Sequence, residues 1–246
     1  MVKKVVEGAV SLFFPAQCKI CKRSLEPLNR SFICSSCWSK VKWLMPPYCS
    51  RCSKPFTPLD VPGGPFSLLC EECRTEPALY KRLLVPTLYE GVMKEAIHLL
   101  KYERKKRIFL EIKKILKRYL EQNSLPFSEL NEIIPIPLHR KKLKQRGFNQ
   151  AYLLAHFISR FSNLKLVDKF LLRIRETQPQ IKLSKQERMA NLKDAFQVRN
   201  GTSFRGKTIL LVDDVYTTGA TLREAARLLR TFETREIYVL TLARAP

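Results

Sequence analysis

The run ILLVDDVYTTGATL, Ile209 to Leu222, constrains this chain more than any other stretch. Four successive apolar residues, Ile209 to Val212, predict a strand buried on both faces, as in a parallel sheet. Asp213 and Asp214 follow at its carboxyl end, where open α/β sheets place their ligands. Thr217, Thr218, Gly219, Ala220 and Thr221 then make a small, hydroxylated turn feeding a helix expected from about Ala220 to Arg230. Backbone N–H groups at such a turn point at whatever sits there, and the helix dipole favours an anion. Carboxylates suit sugar hydroxyls or a hydrated cation, and the Thr-rich turn suits a phosphate. A sugar phosphate satisfies both halves. The acidic pair precedes the turn and there is one glycine, so this is neither G-x-x-x-x-G-K-[ST] nor G-x-G-x-x-G. The alternative, a strand and helix with a chance acidic pair, has to explain why all the parts agree in order.

The eight cysteines form four Cys-x-x-Cys pairs, Cys18/Cys21, Cys34/Cys37, Cys49/Cys52 and Cys70/Cys73. Two such knuckles complete a tetrahedron of thiolates, so the expectation is two structural Zn²⁺ ions, each closed to water and substrate. Sequential pairing gives two small ribbons; a cross-braced pairing uses the same residues, and spacing does not choose between them. Disulfides are disfavoured by the vicinal spacing and by the cytoplasmic character of the rest.

Strands and helices alternate after the cysteines, which predicts a parallel sheet with right-handed crossovers. The expected organisation is an amphipathic helix over 1–14, a double zinc ribbon over 15–82 and an α/β domain over 83–246. No run of 18 apolar residues exists, so no membrane span is expected. The net charge of +23 favours a polyanionic partner. The excess concentrates in KYERKKR (Lys101 to Arg107), KKILKR (Lys113 to Arg118) and RKKLKQR (Arg140 to Arg146), although such runs are also ordinary solvated helix faces. Around the knuckles Phe32, Trp38, Lys40, Lys42, Trp43, Tyr48 and Arg51 interleave aromatic and basic character. That mixture suits stacking on single-stranded bases with phosphate neutralisation, or plugging of a small ribbon core.

The acidic pair and Thr-Thr-Gly turn resemble the phosphoribosyl-diphosphate (PRPP) loop of type I phosphoribosyltransferases. Three further blocks, Leu88–Lys105, Ile134–Ala155 and Arg173–Phe196, together with the cysteine-rich front, resemble the ComF/GntX family over nearly the whole chain. The resemblance implies a type I phosphoribosyltransferase-like parallel sheet flanked by helices, preceded by the double zinc ribbon. It implies a cytoplasmic role in uptake and processing of single-stranded DNA, with competence or DNA-processing proteins as partners. Asp213 and Asp214 would then hold ribose hydroxyls directly or through Mg²⁺, and Thr217, Thr218, Gly219, Ala220 and Thr221 the 5-phosphate.

Arg146 and Gly147 follow a strand and open a helix, which fits a diphosphate contact or merely a basic turn. Arg175 and Arg188 stand in a cationic loop and helix where related enzymes cover the diphosphate. His98, Lys101 and Tyr102 lie one helical turn apart and could reach a ligand. A catalytic base is not identifiable. Two functions stay open: a DNA-handling protein that binds PRPP or a related ribose phosphate, and an Mg²⁺-dependent phosphoribosyltransferase acting on a small nitrogenous acceptor.

Overall fold

The computed structural model describes residues 16–25, 32–56, 68–103, 105–123, 125–176, 192–199 and 204–246. The helix expected over 1–14 and the site residue Arg188 lie outside them, as do Thr177, Gln178 and Asn191. No described helix is long and apolar enough to cross a membrane.

Two metal-binding ribbons open the described chain, and they are built to one pattern. In each, a Cys-x-x-Cys knuckle is followed by a residue in left-handed backbone, Lys22 (φ 61°) and Ser53 (φ 56°). The knuckle closes on itself, with the Cys18 amide donating to the Arg23 carbonyl and the Cys49 amide to that of Lys54. The second pair of cysteines begins a one-turn helix in each case: Cys34 before α1 (Ser35–Trp38) and Cys70 before α2 (Glu71–Thr75).

The α/β domain follows. Strand β1 is Arg82–Leu84 and β2 is Thr87–Leu88, with Pro86 in the break between them. Helices α3 (Gly91–Tyr102) and α4 (Ile108–Gln122) bury the periodic apolar stripes read from sequence, including Val92, Ala96, Leu99 and Leu100. Strand β3 (Glu132–Pro135) is short, because Pro135 and Pro137 lack the N–H that a ladder needs. Then come α5 (Arg140–Arg146), α6 (Gln150–Ser162) and β4 (Lys165–Leu166). Strands β5 (Leu171–Arg173) and β6 (Phe196–Val198) form a separate antiparallel pair. Strand β7 (Thr208–Tyr216), α7 (Ala220–Arg230) and β8 (Glu236–Arg244) complete the chain.

The main sheet runs β1-β8-β7-β3-β4, all parallel, with β2 continuing β1 along β8. Its two faces separate the core as strand geometry requires. Leu210, Val212, Tyr238, Leu240 and Leu242 face α3, α4 and α6, and the first cysteine ribbon packs into that layer. Ile209, Leu211, Ile237 and Val239 face α7 and the second ribbon. β7 and β8 are therefore covered on both faces, which is why they read as nearly unbroken apolar runs.

Two local expectations change. Arg146 and Gly147 close a helix rather than open one: Gly147, at φ 77°, is the left-handed cap of α5, and α6 starts three residues later under its Asn149 cap. Phe196, the last residue of the block Arg173–Phe196 read from sequence as a cationic loop and helix, begins a strand instead. Asp194, at φ 55°, breaks helical geometry just before it.

Candidate functional site

The cysteines pair sequentially. Cys18, Cys21, Cys34 and Cys37 form one cluster and Cys49, Cys52, Cys70 and Cys73 the other, each with its four sulfurs within 4.8 Å. Sulfur separations are 3.8 Å (Cys18–Cys37), 3.7 Å (Cys21–Cys34) and 3.6 Å (Cys52–Cys70). A tetrahedron with Zn–S bonds of ~2.3 Å has edges of about 3.8 Å, so the thiols present fit zinc. Backbone amides already point at the sulfurs: Cys34 N to Cys18 Sγ at 3.4 Å and Cys70 N to Cys49 Sγ at 3.4 Å. At the exposed edge of the first cluster, the Arg23 guanidinium donates to Cys21 Sγ at 3.5 Å. That bond, with an Arg23 backbone bond, pulls the Cys21 thiol down to about 6. Four sulfurs per site leave no open position, so these two zinc sites are structural.

At the carboxyl end of β7 a cavity of about 670 Å³ opens. Asp213 and Asp214 form part of its wall, and Thr217, Gly219, Ala220 and Thr221 form the side next to them. Gly219 has φ 74° and caps α7; a Cβ there would meet the Tyr216 hydroxyl at 2.2 Å. Glycine is thus required twice over, by conformation and by close approach. Thr218 is not in the cavity wall, and its hydroxyl is buried without a hydrogen-bond partner in the described structure. The donors that this turn offers the cavity are the Thr217 and Thr221 side chains in its wall and the backbone N–H groups at the start of α7. The donor set fits a phosphate.

The acidic pair is not bare. Lys101 of α3 reaches across to place Nζ 2.8 Å from Asp214 Oδ1, with 16% and 13% of the two side chains exposed. Burial works against the Lys101 ammonium, but the charge and hydrogen bond of Asp214, with Asp213 behind, outweigh it and hold its pKa above the usual lysine value. Asp213 goes the other way: burial first, then repulsion from Asp214, push its carboxyl up to about 7. Lys101, Arg173 and the Asp214 amide, which donates to Asp213 Oδ1 at 2.8 Å, oppose that rise only in part. One of the two acids is therefore paired internally, yet the cavity beyond them stays open.

Cations ring the rest of the cavity: Lys142 and Arg146 from α5, and Arg173 from β5. Burial, then Arg173 and Arg146, lower the Lys142 ammonium; burial also lowers Arg173, with Asp213 opposing and Arg146 adding to it. Groups that destabilise one another's charge share a small space, and a polyanion is what relieves them. Arg146 lies over the Tyr102 ring at 5.3 Å and donates to Gln150 Oε1 at 3.2 Å. Gln150 is 1% exposed, and its Nε2 has no hydrogen-bond partner in the described structure.

Of the residues expected at the site, Asp213, Asp214, Thr217, Gly219, Ala220, Thr221 and Arg146 line one cavity. Gly147 only caps α5, and Arg175 is exposed, donating to the Lys193 carbonyl at 2.7 Å instead. Its neighbour but one, Arg173, takes the cavity position as the last residue of β5, while Arg175 lies beyond the strand's end. His98 lines the cavity beside Tyr102, whereas His139 does not. Lys101, expected to reach a ligand, lines the cavity paired with Asp214, and Lys142 is a cavity residue not named among those expected. Both were readable as spacing: Lys101 sits three residues from His98, and Lys142 four from Arg146, each on one helix face. Around the ribbons, Trp38 packs against the core and Trp43 lies under the Arg118 guanidinium at 5.0 Å, so the indoles are at least partly structural plugs.

Comparison with known proteins gives two family matches. Residues 9–74 match the double zinc ribbon domain and residues 151–246 the phosphoribosyl transferase domain. Competence protein F of Haemophilus influenzae is 29% identical over 240 residues, covering 95% of this chain and 99% of that protein. DNA utilization protein YhgH of Escherichia coli K12 is 31% identical over 224 residues, covering 89% of this chain and 92% of that one. Competence protein ComFC of Bacillus subtilis is 29% identical over 208 residues, covering 80% and 77%.

Proposed function

Because this chain belongs to the ComF/GntX family, we propose that its α/β domain binds PRPP or a related ribose phosphate in support of DNA handling. One observation carries the reading: paired carboxylates, an anion-binding turn and three converging cations meet in a single cavity at the carboxyl end of a parallel sheet. The acids match the ribose hydroxyls, the turn of Thr217 to Thr221 matches the 5-phosphate, and Lys142, Arg146 and Arg173 match the diphosphate. Asp213 and Asp214 are also the groups that would hold Mg²⁺, which supplies charge neutralisation to the diphosphate when bound.

The chemistry that such a site supports is displacement at C1 of the ribose. A loose displacement needs positioning and charge stabilisation rather than a strong base. Lys142, Arg146 and Arg173 would hold the departing diphosphate, and the turn would fix the sugar by its far end. Lys101, 2.8 Å from Asp214 Oδ1, holds that acid's side chain in place. A calorimetric titration with PRPP and Mg²⁺ tests the binding claim. Saturable binding that Asp213→Asn and Asp214→Asn abolish is the expected result; no binding by the wild type refutes it. Diphosphate release in the presence of nitrogenous acceptors decides whether the bound ligand is turned over.

The nucleic-acid half of the proposal rests on the relatives named for competence and DNA utilization and on the charge of +23. Single-stranded DNA should bind with affinity that falls steeply as salt rises. The acid-pair variants should retain that binding if the zinc ribbons carry it.

A further inference from the structure

Behind the turn, on the side away from the cavity, buried side chains tie the second cysteine cluster to the ends of β7 and β8. Arg244 is 5% exposed and donates from Nε to the Cys52 carbonyl at 3.0 Å, with Nη2 4.0 Å from the Cys52 sulfur. The same guanidinium lies 5.3 Å over the Tyr216 ring. The Tyr216 hydroxyl is 2.8 Å from that of Tyr80, which packs among the cysteines of this cluster. The hydroxyl end of Tyr216 also presses on the turn, so closely that only glycine is accommodated at Gly219. A second tie runs in parallel: Glu76, next after α2, pairs with Arg223 in the first turn of α7 at 2.6 Å, and both side chains are largely buried.

The first cluster has a different neighbourhood. Its cysteines pack in the layer of α3, α4 and α6, not the layer that holds Tyr216 and α7, and its side-chain links run to the α3–α4 connection, through Lys19 to Glu103 and through Lys105 over Phe32.

We propose that metal occupancy of the second cluster and ligand occupancy of the turn are thermodynamically linked through Arg244 and Tyr216, with the first cluster outside the linkage. The inference rests on the reading of Thr217 to Thr221 as a phosphate turn. A zinc-bound Cys52 thiolate fixes the knuckle that presents both its sulfur and its carbonyl to Arg244. Arg244 then fixes Tyr216, and Tyr216 sets the path of the backbone whose N–H groups receive the anion. Loss of metal releases the first of these constraints, and the energy of the last falls with it. Linkage is reciprocal, so a bound ribose phosphate must hold the metal more tightly by the same factor.

The test uses the full-length, zinc-loaded protein and ribose 5-phosphate. A chelator draws off zinc while N-ethylmaleimide alkylates each released thiol, and mass spectrometry reports the rate at every cysteine. Saturating ribose 5-phosphate should slow alkylation of Cys49, Cys52, Cys70 and Cys73 by about five-fold or more, the lower range of known couplings. Rates at Cys18, Cys21, Cys34 and Cys37 should not change. Arg244→Lys, which keeps a charge but loses the guanidinium that bonds the Cys52 carbonyl and lies over Tyr216, should lower the protection, as should Tyr216→Leu, which removes the ring. Equal protection of both clusters, or none in a protein that binds ribose 5-phosphate by calorimetry, overturns the linkage. Full protection retained in both variants overturns this route for it. A wild type that does not bind ribose 5-phosphate removes the phosphate-turn reading itself, and the linkage with it.

Discussion

Replacing Asp213 by asparagine should stabilise the unliganded protein while removing its ability to hold a ribose. The side chain is part-buried, faces Asp214, and has its carboxyl raised from 3.8 to about 7 by burial and that repulsion. A carboxyl raised in the folded state binds its proton more tightly there than in the unfolded chain. Its contribution is fully favourable below about pH 4 and is lost as pH rises through about 7. Ionising Asp213 in the fold therefore costs up to about 3 kcal/mol at pH 6 and up to about 4 kcal/mol at pH 8. Asparagine keeps an oxygen for the Asp214 amide, 2.8 Å away, and carries no charge to bury. Urea melts of wild type and Asp213→Asn at pH 6, 7 and 8 read the difference directly. The variant should be the more stable at pH 8, by an amount that grows from pH 6, and calorimetry should show no ribose 5-phosphate binding. If the variant is no more stable at pH 8, or if the gap does not change with pH, the charge argument is wrong.

Lys101→Met should do the opposite, destabilising the fold by about 3 kcal/mol, because it strands Asp214 beside Asp213 without its partner; the urea midpoint checks this, and a smaller loss at pH 6 than at pH 8 marks the charge as the cause. Gly219→Ala should cost about 2 kcal/mol or more, from the left-handed backbone and the clash with Tyr216, with ribose 5-phosphate binding lost in the same titration. Arg146→Met should weaken PRPP about ten-fold, the worth of one charge-assisted hydrogen bond, and leave ribose 5-phosphate unaffected. Native mass spectrometry should find two zinc ions per chain and one in Cys37→Ala; removal of both by chelation should abolish the ribbon fold, seen as loss of near-UV signal.

The strand from Ile209 to Val212 and the helix after Gly219 were legible because local pattern and tertiary role coincide there: an apolar run is buried on both faces and a glycine is needed at a left-handed cap. The eight zinc ligands were legible for a similar reason, since knuckle spacing is itself the chemistry. Their pairing was not, because choosing sequential over cross-braced ribbons depends on how α1 and α2 fold back, and spacing does not encode it. Arg175 shows a second limit. Along an irregular strand end, sequence cannot say which of two arginines on one side, 173 or 175, reaches the cavity, and the short β5–β6 pair decides it. Lys101 shows a third. Its partner Asp214 is more than a hundred residues away, and only the fold brings α3 over the end of β7.

The position of β8 has a consequence for how this molecule is made. It lies between β7 on one side and β1 with β2 on the other, yet it is the last described strand to leave the ribosome. Until residues 236–244 emerge, β1 and β2 lack the neighbour they pair with, and the knuckle at Cys52 lacks the arginine that seats it. Nascent chains stalled before that point should expose open strand edges and call on chaperones.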